Sequence, residues 1–199
     1  MKRQIAVWCA VLVAAAAFAD GVKLGDKAPM TDTKMKNVDG KEMSIAGVAG
    51  KNGTLVIFTC NHCPFVKAWE KRIVEIGNAY SKKGIGVIAI DANDPAVQAP
   101  DSYEEMQTRA KERGFQFPYV VDATSDVARA FGATRTPEFF LFDKDGKLVY
   151  HGALDDNKDA AQASQPYLKD ALEAVLAGKP VATAETKAIG CSIKFRSKA

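Results

Sequence analysis

The sequence predicts an α/β fold in which a central mixed β-sheet is flanked by helices, with a β-ribbon extension on the N-terminal side. Short apolar segments rich in β-branched residues alternate with segments in which apolar residues recur every three or four positions. The last two strand-like segments are joined by a tight turn, which makes that pair antiparallel. Strands that alternate with helices and end in a hairpin are typical of helices packed on a mixed sheet.

The first residues form a segment that we expect to be removed rather than folded. A basic start at Lys2 and Arg3 precedes an almost wholly apolar run over residues 5–18, and Ala17-Phe18-Ala19 offers small residues to a signal peptidase. A membrane anchor is less favoured, because the run is shorter than the ~20 residues that span a bilayer. The sequence predicts a signal peptide over 1–19, export to the periplasm or a similar compartment, and no stable membrane insertion after cleavage.

The charge balance excludes one class of partner. The chain has 27 Lys+Arg and 24 Asp+Glu, a formal charge of +3. Loss of Lys2 and Arg3 with the signal peptide leaves 25 basic against 24 acidic residues, a charge of +1. A nearly neutral mature protein has no electrostatic basis for binding nucleic acid, so we expect no such partner.

The mature chain begins with turn signals and a small ribbon. Asp39-Gly40 is a strong hairpin turn. Apolar residues stand on both sides of the turn, at Met35, Val38, Met43 and Ile45. This pattern predicts the N-terminal β-ribbon.

A buried strand and a helix meet at the first cysteine motif. Thr54–Thr59 is a continuous apolar, β-branched run that predicts a central strand ending at Cys60. Residues 65–82 have helical apolar spacing, and after Gly84 a second buried strand is predicted over 85–90. Cys60 therefore lies at a strand-to-helix junction in a β-α-β unit.

The second half of the mature chain continues the alternation. The predicted elements are a helix over 102–113, a strand over 117–121, a short helix over 125–131, strands over 138–142 and 147–151, and a helix over 167–177. We place one domain at residues 20–180. Residues 181–199, which contain Cys191, form a C-terminal extension with weak periodicity.

The strongest chemical signal is Cys60-Asn61-His62-Cys63. Disulfide exchange needs a thiolate, and a helix N-terminus can lower a cysteine pKa from about 8.5 to roughly 3.5–7.5. We expect Cys60, at the start of the helix, to be the activated nucleophile. Cys63, one turn inside the helix, is expected to resolve the mixed disulfide.

His62 stands between the two cysteines. When protonated it favours a nearby thiolate, and when neutral it can still donate a hydrogen bond. A stabilised thiolate stabilises the reduced form, so the motif predicts a more oxidising couple than one with Gly-Pro between the cysteines. The alternative is a helix-capping role with no redox effect.

Static roles for the cysteine pair are less favoured. The sequence has no second C-x-x-C, and its only other histidine is His151. A closed four-ligand zinc site is therefore not expected, and we assign no metal. A structural bridge across so short a loop constrains little chain entropy. Redox activity is favoured, with the disulfide itself in place of a cofactor.

Several motifs follow one another in a characteristic order. They are Gly25-x-x-Ala28-Pro29, Asp39-Gly40, a buried strand, Cys60-x-x-Cys63, and Thr136-Pro137 before an antiparallel hairpin. This order resembles the thioredoxin superfamily, and within it the redoxin branch of thioredoxin-like and peroxiredoxin-like proteins, over about residues 22–178. The peptides 59–67, with the C-N-H-C-P motif, and 189–194 resemble one uncharacterised bacterial subgroup.

The resemblance implies a thioredoxin-like fold and specific roles. Cys60 is the attacking cysteine and Cys63 the resolving one. Pro137 is implied to be a cis-proline that faces the disulfide, and Thr136 to offer backbone groups to a bound peptide. From the residues alone, Thr136-Pro137 is equally compatible with a trans turn.

Two departures from the resemblance concern the chemistry. Thioredoxins usually carry Trp before the first cysteine and a buried acid six residues before it, where this chain has Thr59 and Thr54. Proton transfer must therefore use another group. The peroxiredoxin motif, which needs Thr or Ser three residues before the reactive cysteine, is absent, since Ile57 and Cys60 occupy those places.

The predicted function is exported thiol–disulfide exchange, with antioxidant activity. The expected partners are protein or small-molecule thiols and disulfides, and a redox partner that recycles the site. One alternative is a thiol-dependent peroxidase, in which Cys63 resolves a sulfenic acid at Cys60. Another is a copper-binding module that uses Cys60, Cys63 and either His62 or His151.

Cys191 has two possible roles. It can approach the active site as an accessory redox thiol, or it can be a small buried apolar residue. The sequence leaves both alternatives open.

Overall fold

A computed structural model describes residues 21–197. The predicted signal peptide over 1–19 lies outside the described residues. Over the stretch from 21 to 197, no helix combines the length and apolar character needed to cross a membrane.

The described part of the chain contains nine strands and four α-helices. The strands are β1 Met35–Asn37, β2 Glu42–Met43, β3 Gly53–Phe58, β4 Ile85–Asp91, β5 Tyr119–Val121, β6 Arg135–Thr136, β7 Glu138–Asp143, β8 Leu148–Gly152 and β9 Cys191–Ser192; the helices are α1 Pro64–Ser81, α2 Tyr103–Arg113, α3 Asp126–Phe131 and α4 Tyr167–Leu176.

The strands form a mixed sheet. One group has the order β2-β1-β5-β4 and the other β3-β7-β8. Strand β4 runs parallel to β5, whereas β7 is antiparallel to both β3 and β8. Two backbone hydrogen bonds join the groups edge to edge, from Asn52 to Gly84 at 3.0 Å and from Thr59 to Ile90 at 2.9 Å. The predicted mixed sheet flanked by helices is confirmed.

The N-terminal ribbon is an edge of this sheet. Strand β1 pairs with β2 across the turn that contains Gly40, whose φ of +84° suits glycine. Strand β1 also pairs with β5, antiparallel, with Lys36 opposite Val121. The ribbon is therefore continuous with the main sheet rather than a separate appendage.

Alternation along β3 divides the core between the two faces of the sheet. Leu55 and Ile57 pack with residues of α1, α2 and α4, whereas Val56 and Phe58 pack with residues of α3. Successive side chains of a strand point to opposite faces, so a strand buried on both faces is continuously apolar. This explains the continuous apolar run that precedes Cys60.

The C-terminal residues lie along the sheet that carries the cysteine motif. The amide of His151 donates to the Ala184 carbonyl at 2.9 Å, and the amide of Thr186 donates to the His151 carbonyl at 3.0 Å. Strand β9 pairs with β6, antiparallel, so that Cys191 lies opposite Thr136. Ile193 is buried in the core beside α3.

Candidate redox site

The cysteine motif forms the connection between β3 and α1. Strand β3 ends at Phe58, and α1 begins at Pro64, with Cys63 as its N-cap in an extended conformation (φ −61°, ψ 125°). The prediction that Cys63 lies one turn inside the helix is wrong. A residue before proline avoids the helical region, whereas proline is well suited to the first helical position, so Pro64 fixes the start of α1.

Three sulfur atoms meet beside Thr136. The Sγ atoms of Cys63 and Cys191 lie 2.7 Å apart. Cys63 Sγ lies 3.2 Å from the Thr136 carbonyl oxygen, and Cys60 Sγ is 3.2 Å from Thr136 Oγ1. The peptide bond between Thr136 and Pro137 is cis. All three cysteines are free, so the arrangement is that of a reduced site.

The three sulfurs differ in their access to solvent. Cys60 is 2% exposed and Cys63 is 0% exposed, so the C-x-x-C pair is closed off. Cys191 is only partly buried, and it packs on the cluster that Cys60, Cys63 and Val66 form. Cys191 is therefore the sulfur nearest to solvent.

The negative charge of the pair is placed on Cys63. The Cys60 thiol donates a hydrogen bond to the Cys63 sulfur and lowers the pKa of Cys63 to about 4, assisted by the Cys191 thiol and the Val66 amide in the first turn of α1. The pKa of Cys60 is raised, because it donates that hydrogen bond, is buried and lies near the Asp101 carboxylate. Cys63, rather than Cys60, is the residue at the helix N-terminus, where backbone N–H groups and the helix dipole favour a thiolate. That Cys60 is the activated nucleophile stays a prediction.

A buried carboxylate holds the loop between the cysteines. Asp101 Oδ1 accepts hydrogen bonds from the amides of Asn61, at 2.7 Å, and His62, at 3.0 Å. Its Oδ2 accepts from Asn93 Nδ2 at 2.8 Å and lies 2.5 Å from His62 Nδ1. The Asp101 side chain is 0% exposed and that of His62 is 17% exposed. The His62 ring is therefore oriented by Asp101.

Sequence reasoning missed this role of Asp101. The N-cap of α2 is Ser102, whose hydroxyl oxygen accepts from the Glu105 amide at 3.4 Å. Asp101 is thereby free to bind a loop 39 positions away. No local pattern encodes this contact.

A second buried network fixes Asn61. Asn61 Nδ2 donates to the Pro100 carbonyl at 2.9 Å, and the Tyr119 hydroxyl donates to Asn61 Oδ1 at 3.0 Å. The same hydroxyl lies 3.4 Å from Asp91 Oδ2. Burial, followed by the charge of Asp101, raises the pKa of Asp91. Asp91 is thus a buried acid at the site. Thioredoxins carry a buried acid at a different position, which Thr54 occupies in this chain.

The potential metal ligands are only partly brought together. Among residues 21–197, one oxygen, nitrogen or sulfur atom each of Cys60, His62 and Asp101 lie within 4.8 Å of one another. The Asp101 oxygens already serve the hydrogen bonds of the loop. His151, the other histidine weighed for copper, instead places Nε2 2.7 Å from Glu138 Oε1 on β7.

Comparison with known proteins adds to this geometry. A family model described as Redoxin matches residues 23–169. A thiol-disulfide oxidoreductase ResA of Bacillus thuringiensis (strain Al Hakam) is 27% identical over 134 residues, which cover 66% of this chain and 72% of that protein.

Two solved structures resemble the whole described chain. An uncharacterized conserved protein from Geobacillus kaustophilus has a TM-score of 0.84 and 39% identity, and covers 90% of this chain and 96% of its own. A hypothetical protein from Sinorhizobium meliloti 1021 has a TM-score of 0.82 and 34% identity, with 90% and 98% covered. Neither name states an activity.

Proposed function

We propose that this chain, which belongs to the Redoxin family, is an exported thiol–disulfide oxidoreductase that exchanges a Cys60–Cys63 disulfide with protein or small-molecule thiols. The observation that carries the proposal is the position of Cys63 at the N-terminus of α1, beside Cys60 and Cys191, where the pKa of Cys63 is lowered. The name of the ResA relatives supports the same chemistry. The disulfide takes the place of a bound cofactor.

The low pKa of Cys63 assigns the direction of attack on the disulfide. An external thiolate attacks the Cys60 sulfur, a bond forms between them, and Cys63 leaves with the electron pair, because the thiol of lower pKa leaves faster. A second external thiolate attacks the first external sulfur and releases Cys60, which takes up a proton. The external thiols lose two electrons and the site gains them. In reverse, Cys63 resolves the mixed disulfide at Cys60.

Thr136 and Pro137 are the proposed contact for the incoming sulfur compound. The Thr136 hydroxyl lies against Cys60 Sγ, and its carbonyl lies against Cys63 Sγ, both at 3.2 Å. A compound that bonds to the Cys60 sulfur therefore lies beside Thr136. The backbone of Thr136 is also paired with β9, so a bound peptide has to contact the site beside that strand.

The activity is tested by equilibrating the purified protein with mixtures of reduced and oxidised glutathione. We expect one two-electron transition, a Cys60–Cys63 disulfide identified within the peptide that contains both cysteines, and catalysis of insulin reduction. Cys60→Ser and Cys63→Ser each abolish the Cys60–Cys63 disulfide, and Cys63→Ser also abolishes insulin reduction, whereas Cys191→Ser keeps the Cys60–Cys63 disulfide. A protein that forms no such disulfide and does not accelerate insulin reduction contradicts the proposal.

Export is tested separately by expressing the full chain in a bacterial host. The proposal expects a periplasmic product whose first residue is Asp20. Ala19→Arg, which puts a large charged residue at the cleavage position, is expected to accumulate with residues 1–19 attached. An unprocessed wild-type protein in the cytoplasmic fraction contradicts export and leaves the redox activity unaffected.

A further inference from the structure

The residues that follow α4 return to cover the redox site. We call residues 190–194 the C-terminal strap. Its strand β9 pairs with β6, and beyond it the Ile193 amide donates to the Thr134 carbonyl at 3.0 Å. The Lys194 amide donates to Asn93 Oδ1 at 2.7 Å. These two hydrogen bonds, together with the pairing of β9 with β6, hold the strap in one register.

Gly190 allows the strap to lie directly on the Thr136–Pro137 peptide. A Cβ atom at Gly190 meets the Thr136 carbonyl oxygen at 2.2 Å and the Pro137 nitrogen at 3.1 Å, which is too close for any other residue. This close approach sets the position of the next residue. Cys191 is thereby brought to within 2.7 Å of the Cys63 sulfur.

Resting on the proposed thiol–disulfide exchange, we propose that Cys191 is a third redox-active cysteine, which forms a disulfide with Cys63 and presents its own sulfur to external thiols. The Cys63 and Cys191 sulfurs are already in contact, and a disulfide bond is about 2.0 Å long, so its formation needs only small side-chain rotations. The partial exposure of Cys191 contrasts with the closed Cys60–Cys63 pair.

The internal transfer is an exchange without net oxidation. The Cys191 thiolate attacks the Cys63 sulfur of the Cys60–Cys63 disulfide. The Cys63–Cys191 bond forms, the Cys60–Cys63 bond breaks, and Cys60 leaves as a thiolate that takes up the proton lost by Cys191. The number of electrons on the protein is unchanged, so no further oxidant is required.

External exchange then proceeds at Cys191. An external thiolate bonds to the Cys191 sulfur, and Cys63 leaves with the electron pair. A second external thiolate then attacks the first external sulfur, forms a disulfide with it and releases Cys191. Attack at Cys191 is favoured for two reasons. Cys191 is the most accessible of the three sulfurs, and attack there releases Cys63, the better leaving group. The pKa of Cys63 is lowered to about 4, whereas burial and the hydrogen bond with Cys63 raise the pKa of Cys191 to about 11.

Peptide mapping tests the disulfide. Trypsin releases Cys60 and Cys63 together in the peptide 52–67 and Cys191 in 188–194, so a Cys63–Cys191 bond joins two peptides whereas a Cys60–Cys63 bond stays within one. The protein is equilibrated in glutathione buffers, alkylated at low pH and digested. We expect both species in the wild type, and the joined peptides as the dominant intramolecular species in Cys60→Ser, where the link must use Cys63.

A matched variant controls for the mere presence of a third thiol. Cys191→Ser combined with Ser192→Cys keeps the composition and moves the sulfur to the opposite face of β9, because successive strand residues point to opposite sides. We expect the joined peptides to disappear. Gly190→Ala keeps all three cysteines, displaces the strap and is expected to reduce the joined fraction.

A rate measurement tests the role of Cys191 as the outer sulfur. Reduction of the oxidised protein by glutathione is expected to be about tenfold or more slower in Cys191→Ser than in the wild type. If the wild-type peptide 188–194 stays fully alkylated while the peptide 52–67 contains a disulfide, this inference is overturned and the proposed function is left intact. An unchanged reduction rate in Cys191→Ser overturns it as well. Absence of both disulfides refutes the proposed function itself.

Discussion

The Nδ1 atom of His62 lies 2.5 Å from Oδ2 of Asp101, a carboxylate whose side chain is fully buried. This pair links the short connection between the two cysteines to the segment that precedes α2. It also places a negative charge near Cys60, where that charge contributes to the raised pKa of the thiol. Both the shape of the loop and the electrostatics of the sulfurs therefore depend on one residue.

Asp101→Asn is expected to lower the free energy of unfolding by about 1–3 kcal/mol, because the amide cannot accept all the hydrogen bonds that the carboxylate accepts. The measurement is urea unfolding of the reduced protein at neutral pH. Asp145→Asn, at an exposed turn between β7 and β8, is the control and is expected to change stability by less than about 0.5 kcal/mol. Equal effects of the two substitutions contradict the special role of Asp101.

His62→Ala is expected to make the Cys60–Cys63 couple less oxidising by about 30 mV, which equals a tenfold change in the two-electron equilibrium. The substitution leaves the Asp101 charge without its imidazole partner, and that charge disfavours a thiolate nearby. The potential is read from the glutathione equilibrium. His151→Ala, which removes a ring bonded to Glu138, is the matched control and should leave the potential unchanged. An unchanged potential in His62→Ala rules out the electrostatic role of His62.

The contribution of Cys63 to the stability of the reduced protein is expected to grow with rising pH between about 4 and about 8.5, whereas the raised pKa values of Asp91 and Asp122 act in the opposite direction. The pKa of Cys63 is about 4 in the folded protein and about 8.5 for a free cysteine, so in this range the unfolded chain binds more protons than the folded one. The contribution is complete above the unfolded value and is lost as pH falls through the folded value. Above about 8.5 the raised pKa of Cys60 acts in the opposite direction.

Urea unfolding of the reduced protein at several pH values measures this slope. Cys63→Ser is the control, since a serine at that position carries no titrating thiol. Between pH 5 and 8, its free energy of unfolding is expected to rise less with pH than that of the wild type. The ultraviolet absorbance of a thiolate provides an independent readout and should persist in the wild type well below neutral pH. Thiolate absorbance that vanishes near pH 8 contradicts the assignment of the charge to Cys63.

Thr136→Val is expected to slow the reaction of Cys60 with a model disulfide by about two- to tenfold, the value of one neutral hydrogen bond. The Thr136 hydroxyl contacts Cys60 Sγ, and it is the group that opposes the raised pKa of Cys60. Valine keeps the shape of the side chain and removes only the hydroxyl. Thr108→Val, on the exposed face of α2, is the control and is expected to have no effect on the rate. Unchanged kinetics in Thr136→Val leave Thr136 without a part in the exchange.

Much of the fold follows from local pattern. The apolar run before Cys60 and the helical spacing after it predicted β3 and α1 closely, because a doubly buried strand and an amphipathic helix each leave a periodic signature. The expectation that Cys63 lies one turn inside the helix was wrong, although Pro64 is a recognisable first helical residue and makes Cys63 the N-cap.

The amino-acid sequence by itself determined the order of strands and helices and the presence of a cysteine pair at a strand-to-helix junction, because these depend on residues that are neighbours in the chain. Only the tertiary structure decided that Asp101 holds the loop and that Cys191 touches Cys63 across a separation of 128 positions. Such contacts arise where β6 and β9 pair and where distant loops are buried together. Their energy comes from groups that meet only after the sheet has formed, and no spacing along the chain records them.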